Sequence, residues 1–243
     1  MDMTPCHNLA MNNIYVLQIE TATPVCSVAI SKNGKTIAAI DAELPNLHAS
    51  HLTVFIDQLL RDADISSVDL DAVAVSMGPG SYTGLRIGVS TAKGLCYGLD
   101  IPLIAINTLD AMVAGFARRD PMQMVGKMLV PMIDARRMEV YMAQYREGQV
   151  KVRDTEACII DADFFATDDK SQAQFLLFGS GANKLALLFT ENPWVQVVPG
   201  FLNSADFLSG LAFEKYSLKQ FEDSVYFEPF YLKDFIATTP KKR

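Results

Sequence analysis

The residues with most chemical promise form a glycine-rich run, Ser76-Met-Gly-Pro-Gly-Ser-Tyr-Thr-Gly-Leu-Arg-Ile-Gly88. Glycines after a strand let the backbone turn tightly, and a helix starting just beyond them offers N–H groups to an anion. The run is not a P-loop, because no Lys-Ser/Thr pair follows the glycines. Nor does the spacing of Gly78, Gly80, Gly84 and Gly88 match the dinucleotide fingerprint. A structural reading competes with phosphate binding and needs fewer assumptions. Gly84, Gly88 and Ala92 recur every four residues, placing small side chains on one helical face where another helix can approach closely.

Other reactive residues are sparse. His48 and His51 share a helical face, but tetrahedral zinc needs further ligands, and the remaining histidine is His7 near the start. A polar, exposed helix start explains the pair more simply. The segment Asp134-Ala-Arg-Arg-Met-Glu-Val-Tyr141 is dense in charge and lies between two strands. It reads equally as a tight polar hairpin and as a partner-facing Arg pair, since planar guanidinium suits carboxylates. Glu20 and Asp134 are the two carboxylates placed to hold a metal near the glycines. No serine or cysteine pairs with a histidine in a shared nucleophile site. Cys6, Cys26, Cys96 and Cys158 are scattered, which excludes a zinc ribbon, supports no disulfide framework and fits a reduced cytosol.

These residues need a scaffold, and punctuation in the sequence outlines one. Ile14–Glu20 and Val25–Ser31 read as strands, Asn33-Gly34 as a tight turn, and Lys35–Glu43 as the return strand. Leu52, Phe55, Ile56, Leu59, Leu60 and Ala63 recur at helical spacing, predicting a helix over His48–Ala63. A buried strand Ala72–Ser76, a helix Ser81–Gly98, a strand Ile101–Ile106 and a helix capped by Thr108 complete a β-β-β-α-β-α-β-α order. The second half repeats that order more loosely. Strands Met128–Ile133, Glu139–Tyr145 and Gln149–Ile160 lead to a helical stretch near Asp163. Strand Phe175–Phe178 then meets a Gly179-Ser180-Gly181 loop, a helix over Asn183–Phe189, strand Val195–Val198 and helix Ser204–Tyr216. Two such lobes are the signature of the actin, hexokinase and Hsp70 superfamily (ASKHA, ribonuclease H-like), an α/β fold. The expected divisions are a disordered extension 1–13 with Met11 as an alternative start, lobes 14–117 and 118–233, and a tail 234–243.

Composition narrows the function. The 243 residues are half hydrophobic and a fifth charged, as in globular proteins. No apolar run approaches the roughly 20 residues a membrane helix needs, and the start has neither the basic residues nor the apolar block of a secretory signal. A net charge of −7 opposes binding to phosphate backbones, and the one basic cluster is Lys241, Lys242 and Arg243 at the end. If this chain acts on RNA, something else holds the RNA.

Together with Ile19-Glu20-Thr21-Ala22-Thr23, Ser27-Val28-Ala29, His51-Leu52, Ala92-Lys93-Gly94-Leu95 and Pro229-x-Tyr231-Leu232, these segments resemble the TsaB family, formerly called YeaZ. The Gly78–Gly88 block with Asp134-Ala135-Arg136 carries the resemblance most specifically, and the C-terminal third carries little. The resemblance implies a cytoplasmic, non-catalytic scaffold or activator of TsaD, the related enzyme that uses threonylcarbamoyl-adenylate to modify tRNA adenosine (t6A). A TsaE-type ATPase would complete the assembly, tRNA would be met only through it, and the free chain would be a homodimer. No cofactor, metal or membrane is implied. In the catalytic relatives, the segment resembling Pro102–Met112 carries a metal-holding His-x-x-x-His pair. Here those positions are Thr108 and Met112, which cannot replace two imidazoles. Arg137 and Met138 stand where those relatives have a glycine that meets phosphate. Gly179-Ser180-Gly181-Ala182-Asn183 keeps some likeness to their adenosine-side loop, so weak nucleotide binding stays open.

The resemblance also implies a four-helix contact with TsaD or a second copy, built from helices His48–Ala63 and Ser81–Gly98. The candidate partner-binding residues are His51, Leu52, Phe55, Ile56, Gly84, Leu85, Gly88, Ala92 and Arg136. On this expectation Gly88→Leu breaks the complex and leaves the monomer folded. The alternative is an ATP-dependent kinase or hydrolase of the same fold using Glu20 and Asp134. A metallopeptidase reading fails for lack of ligands.

Overall fold

The computed structural model describes residues 13–43, 47–166 and 174–233. The expected extension, apart from Asn13, lies outside the described residues, as do Cys6, His7 and the tail 234–243. Strands β1 (Tyr15–Glu20), β2 (Cys26–Lys32) and β3 (Lys35–Ala42) form an antiparallel meander. Asn33 at φ 50° and Gly34 at φ 76° supply the left-handed pair that the β2–β3 turn requires. The chain continues through α1 (Leu47–Asp62), β4 (Ala72–Gly78), α2 (Tyr82–Leu99), β5 (Leu103–Asn107) and α3 (Thr108–Arg119). The five strands lie in the order β3-β2-β1-β4-β5, with β1, β4 and β5 parallel.

The second half builds the same sheet again. Its strands are β6 (Lys127–Asp134), β7 (Glu139–Arg146), β8 (Val150–Ile159), β9 (Gln174–Phe178) and β10 (Val195–Val198), with helices α4 (Ser180–Leu185) and α5 (Ser209–Ser217). The order β10-β9-β6-β7-β8 mirrors the first sheet strand for strand, with β6, β7 and β8 antiparallel and β6, β9 and β10 parallel. This duplicated α/β arrangement is the ASKHA, ribonuclease H-like fold that the element order implied.

Four local expectations need correction. Asn107, not Thr108, caps α3, its side chain accepting from the N–H groups of Leu109 and Asp110. Thr108 is instead buried and shares a hydrogen bond with Ser76, 2.8 Å long. The stretch near Asp163 is a turn rather than a helix, closed by the Ala166 N–H donating to the Asp163 carbonyl. Ser180 and Gly181 belong to α4, which ends early and continues as a 3-10 turn over Ala186–Phe189. The last predicted helix is split, a 3-10 turn over Ala205–Leu208 preceding α5.

Three apolar clusters hold the layers together. On one face of the first sheet, α1 and α2 bury Leu52, Ile56, Leu59, Val89, Ala92 and Cys96 against Leu17, Ile19 and Val75. On the other face, α3, α5 and the Ala205–Leu208 turn are shared with the second sheet through Phe116, Phe178, Phe201 and Leu208. Phe116 and Phe178 stack with ring centroids 4.5 Å apart. The third cluster packs α4, Phe165 and Phe189 on the far face of the second sheet.

Candidate functional site

A cleft of about 610 Å³ lies where the two sheets meet, and each of its walls has a local cause. The turn after β1 contributes Ala22, Thr23 and Pro24, and the first turn of α1 contributes His48. Gly80–Thr83 enter α2, where Ser81 is the N-cap, its hydroxyl accepting from the Gly84 N–H at 3.3 Å. The facing wall is the β6–β7 hairpin, Ile133–Tyr141, and the rim is completed by Phe230, Tyr231, Leu232 and Lys233. This C-terminal strap is tied down by the Phe230 N–H donating to the Met77 carbonyl at 2.7 Å. Its Tyr231 ring lies 5.0 Å from that of Tyr82, and Lys233 pairs with Glu139.

The charges of the cleft are unevenly matched. The Asp134 carboxylate bonds Lys184 at 2.5 Å and accepts from the Arg136 N–H at 2.8 Å. Glu139 is neutralised by Lys233. Arg136 and Arg137 form no ion pair among the described residues, and both occupy left-handed backbone, at φ 70° and 52°. Burial pushes the hydroxyl of Tyr141 up, with Lys233 opposing, so it stays a neutral donor at pH 7. Glu20 does not line the cleft. It lies beneath the floor, 1% exposed, and Oε1 accepts from the Ala22 N–H at 2.6 Å. Burial raises its pKa above the usual carboxyl range, against smaller opposing effects of Ser76, the Ala22 N–H and Asn203.

The remaining chemical candidates have partners that explain them. His48 donates from Nε2 to the Val25 carbonyl at 3.1 Å, and His51 Nδ1 shares a 2.7 Å hydrogen bond with Ser50. Burial pushes the thiols of Cys26 and Cys96 up to about 11, far from a reactive thiolate. Among the described residues, no three His, Cys, Asp or Glu side chains converge as metal ligands. Met112 is fully buried in the shared core, and its methyl group comes within 2.4 Å of where a Cβ on Gly179 would stand.

The nine partner-binding candidates fall into two groups. Leu52, Ile56, Leu85, Gly84, Gly88 and Ala92 are buried within this chain. The small-residue face of α2 meets the end of β1. A Cβ on Gly84 would lie 2.0 Å from the Thr21 carbonyl oxygen, and one on Gly88 would lie 2.2 Å from Thr21 Oγ1. The expectation that Gly88→Leu spares the monomer is therefore wrong, because the added side chain collides with this chain's own sheet. His51 is exposed and Phe55 half-buried on α1, where Val54 is exposed at 50%, and Arg136 is exposed on the turn between β6 and β7. The cleft itself escaped sequence reading. Its signals were Ser81 as a cap and Tyr231 in the Pro229-x-Tyr231-Leu232 motif, neither of which had an assigned role.

Comparisons with known proteins agree on the relationship. The family profile described as TsaD, tRNA N6-adenosine threonylcarbamoyltransferase, matches residues 43–184. The chain is 37% identical over 134 residues to the tRNA threonylcarbamoyladenosine biosynthesis protein TsaB of Escherichia coli (strain K12), covering 55% of this chain and 56% of that protein. It is 35% identical over 135 residues to the protein of the same name from Bacillus subtilis (strain 168), with coverages of 55% and 56%. The chain thus spans little more than half the length of the curated relatives it matches. A solved Pseudomonas aeruginosa structure, described as an uncharacterized protein with similarity to peptidase YEAZ, superposes with a TM-score of 0.76 at 25% identity. It covers 90% of this chain and 100% of that one.

Proposed function

This chain belongs to the TsaB (YeaZ) family, within the wider TsaD-type family whose profile it matches, and from that premise we propose that it is a non-catalytic activator of a TsaD-type enzyme in t6A synthesis. The observation that carries this reading is what fills the positions resembling the metal-holding histidine pair. Thr108 is spent on a buried hydrogen bond to Ser76, and Met112 packs into the apolar core shared by the two sheets. A thioether wedged among apolar neighbours supports a scaffold, whereas an enzyme needs an open ligand set there. Binding in this reading uses the outer face of α1 and α2, around His51, Val54 and Phe55. A stable interface of this kind buries ~1,200 Å² or more in total.

The test combines assembly and activity. Mixed with a TsaD-type protein, the chain should co-elute in size exclusion, and t6A formation on tRNA should depend on both proteins. Alone it should turn over no ATP above background. Val54→Glu, on an exposed position, should weaken the complex while circular dichroism stays unchanged. ATP turnover by the isolated chain, lost in Glu20→Ala and Asp134→Ala, would instead favour the enzyme reading.

A further inference from the structure

We infer that the cleft receives an acidic segment of the partner chain, with Arg136 and Arg137 as the carboxylate receptors; this rests on the activator reading above. Every other charged side chain of the cleft walls is matched, Asp134 by Lys184 and Glu139 by Lys233. Two guanidinium groups therefore stand uncompensated in a chain whose net charge is −7. Both occupy left-handed backbone at the turn between β6 and β7, the conformation a tight hairpin demands, which holds them on the exposed tip facing the cleft. Guanidinium forks match carboxylates in two-point hydrogen bonding. The starts of α1 and α2 border the same space, and neither helix has an acidic residue in its first turn. The field of both helix ends thus favours negative charge supplied from outside.

The observations favour a peptide over a phosphate. A phosphate at a glycine loop is cradled by free backbone N–H groups. Here the Ser81 N–H already donates to the Ala22 carbonyl at 2.7 Å and the Gly84 N–H to the Ser81 hydroxyl. Gly80 faces protein, since a Cβ on it would lie 2.3 Å from the Ala22 carbonyl oxygen. The positive groups are side chains on an exposed turn, beside the paired rings of Tyr82 and Tyr231. Arginine with tyrosine is the composition of interface centres. Because the helices of the proposed partner face begin at this cleft, a single partner covering them reaches the Arg pair.

The experiment measures the affinity of the full chain for its TsaD-type partner by calorimetry at low and moderate salt. Arg136→Glu with Arg137→Glu should weaken the complex about tenfold or more and flatten its salt dependence, with unfolding unchanged. Arg136→Lys with Arg137→Lys should lie between. A hexaglutamate peptide should compete with the wild-type complex, which keeps the proposal testable if the double variant folds poorly. A wild-type complex that resists the peptide and tolerates both charge reversals overturns this inference and leaves the activator reading intact. Absence of any wild-type complex defeats both. Inorganic phosphate binding that depends on the Arg pair, with complex affinity unaffected by it, would make the cleft a phosphate site and overturn the peptide proposal.

Discussion

Glu20 ends β1 with its carboxyl sealed from water, Oε2 having no hydrogen-bond partner among the described residues. Burial favours the neutral acid, so the folded pKa lies above the ordinary carboxyl range. The sign of the linkage follows. Below the unfolded pKa both states are protonated and the residue costs nothing; as pH rises, the unfolded chain releases the proton while the folded chain holds it. Stability contributed by the protonated group is therefore lost as pH climbs toward the folded pKa. Glu20→Gln removes the titration and keeps an acceptor for the Ala22 N–H. In urea titrations, the wild type should lose stability relative to Glu20→Gln as pH is raised from about 4 to about 8. A difference that does not vary with pH would show that the carboxyl escapes its burial.

At the scale of elements, the contact between α2 and the end of β1 positions one wall of the cleft. Thr21 Oγ1 donates to the Gly84 carbonyl at 2.9 Å, within a helix whose Gly84 and Gly88 let the strand end approach. Replacing glycine by alanine in a helix normally gains about 1 kcal/mol. At Gly88 the new Cβ would meet Thr21 Oγ1 at 2.2 Å, so the hydroxyl must move and its hydrogen bond is lost. Gly88→Ala should cost ~1–3 kcal/mol of stability as overpacking. In a Thr21→Ala background most of that cost should vanish, because the nearest remaining atom, the Thr21 Cβ, lies 3.4 Å away. Additive effects in this double-mutant cycle, read from urea midpoints, would place the small-residue face elsewhere.

The whole molecule is joined through segments distant in sequence. The Ala205–Leu208 turn and α5 pack on the first sheet although they follow the second, and Lys215 donates to the Ala105 carbonyl at 2.7 Å. The strap then bonds the edge of the first sheet, the Glu222 N–H donating to the Leu103 carbonyl at 2.9 Å, before reaching Glu139 through Lys233. Lobes divided at 117 and 118 remain our proposal from chain order, and the shared core predicts that they unfold together. Leu208 is fully buried in that core, so Leu208→Ala should cost ~2–5 kcal/mol. Trp194, the single tryptophan, precedes β10 in the second sheet and reports on it. Its fluorescence and the far-UV circular dichroism should shift by the same amount in Leu208→Ala. Separate transitions would mean the lobes are thermodynamically independent.

Local rules made much of this molecule legible from its residues. Strand alternation, the Asn33-Gly34 turn and helical spacing in α1 depend on neighbours in sequence, and their repetition showed the element order of both halves, while the strand order within each sheet came from the tertiary structure. Where side-chain chemistry competed over short range, local reading erred: the Asn107 side chain takes the cap, while Thr108 bonds Ser76 on the neighbouring strand. The meaning of Gly84, Gly88 and Ala92 was beyond reach for the same reason. Spacing shows that a helix face is small, but only the fold reveals that Thr21, 63 residues from Gly84, occupies it. The cleft was least visible of all. Its walls come from six separated segments, and whether Arg136 and Arg137 remain unpaired depends on Lys184 and Lys233 reaching the nearby carboxylates instead. Composition records how many charges a chain carries, and tertiary structure decides which of them are left over.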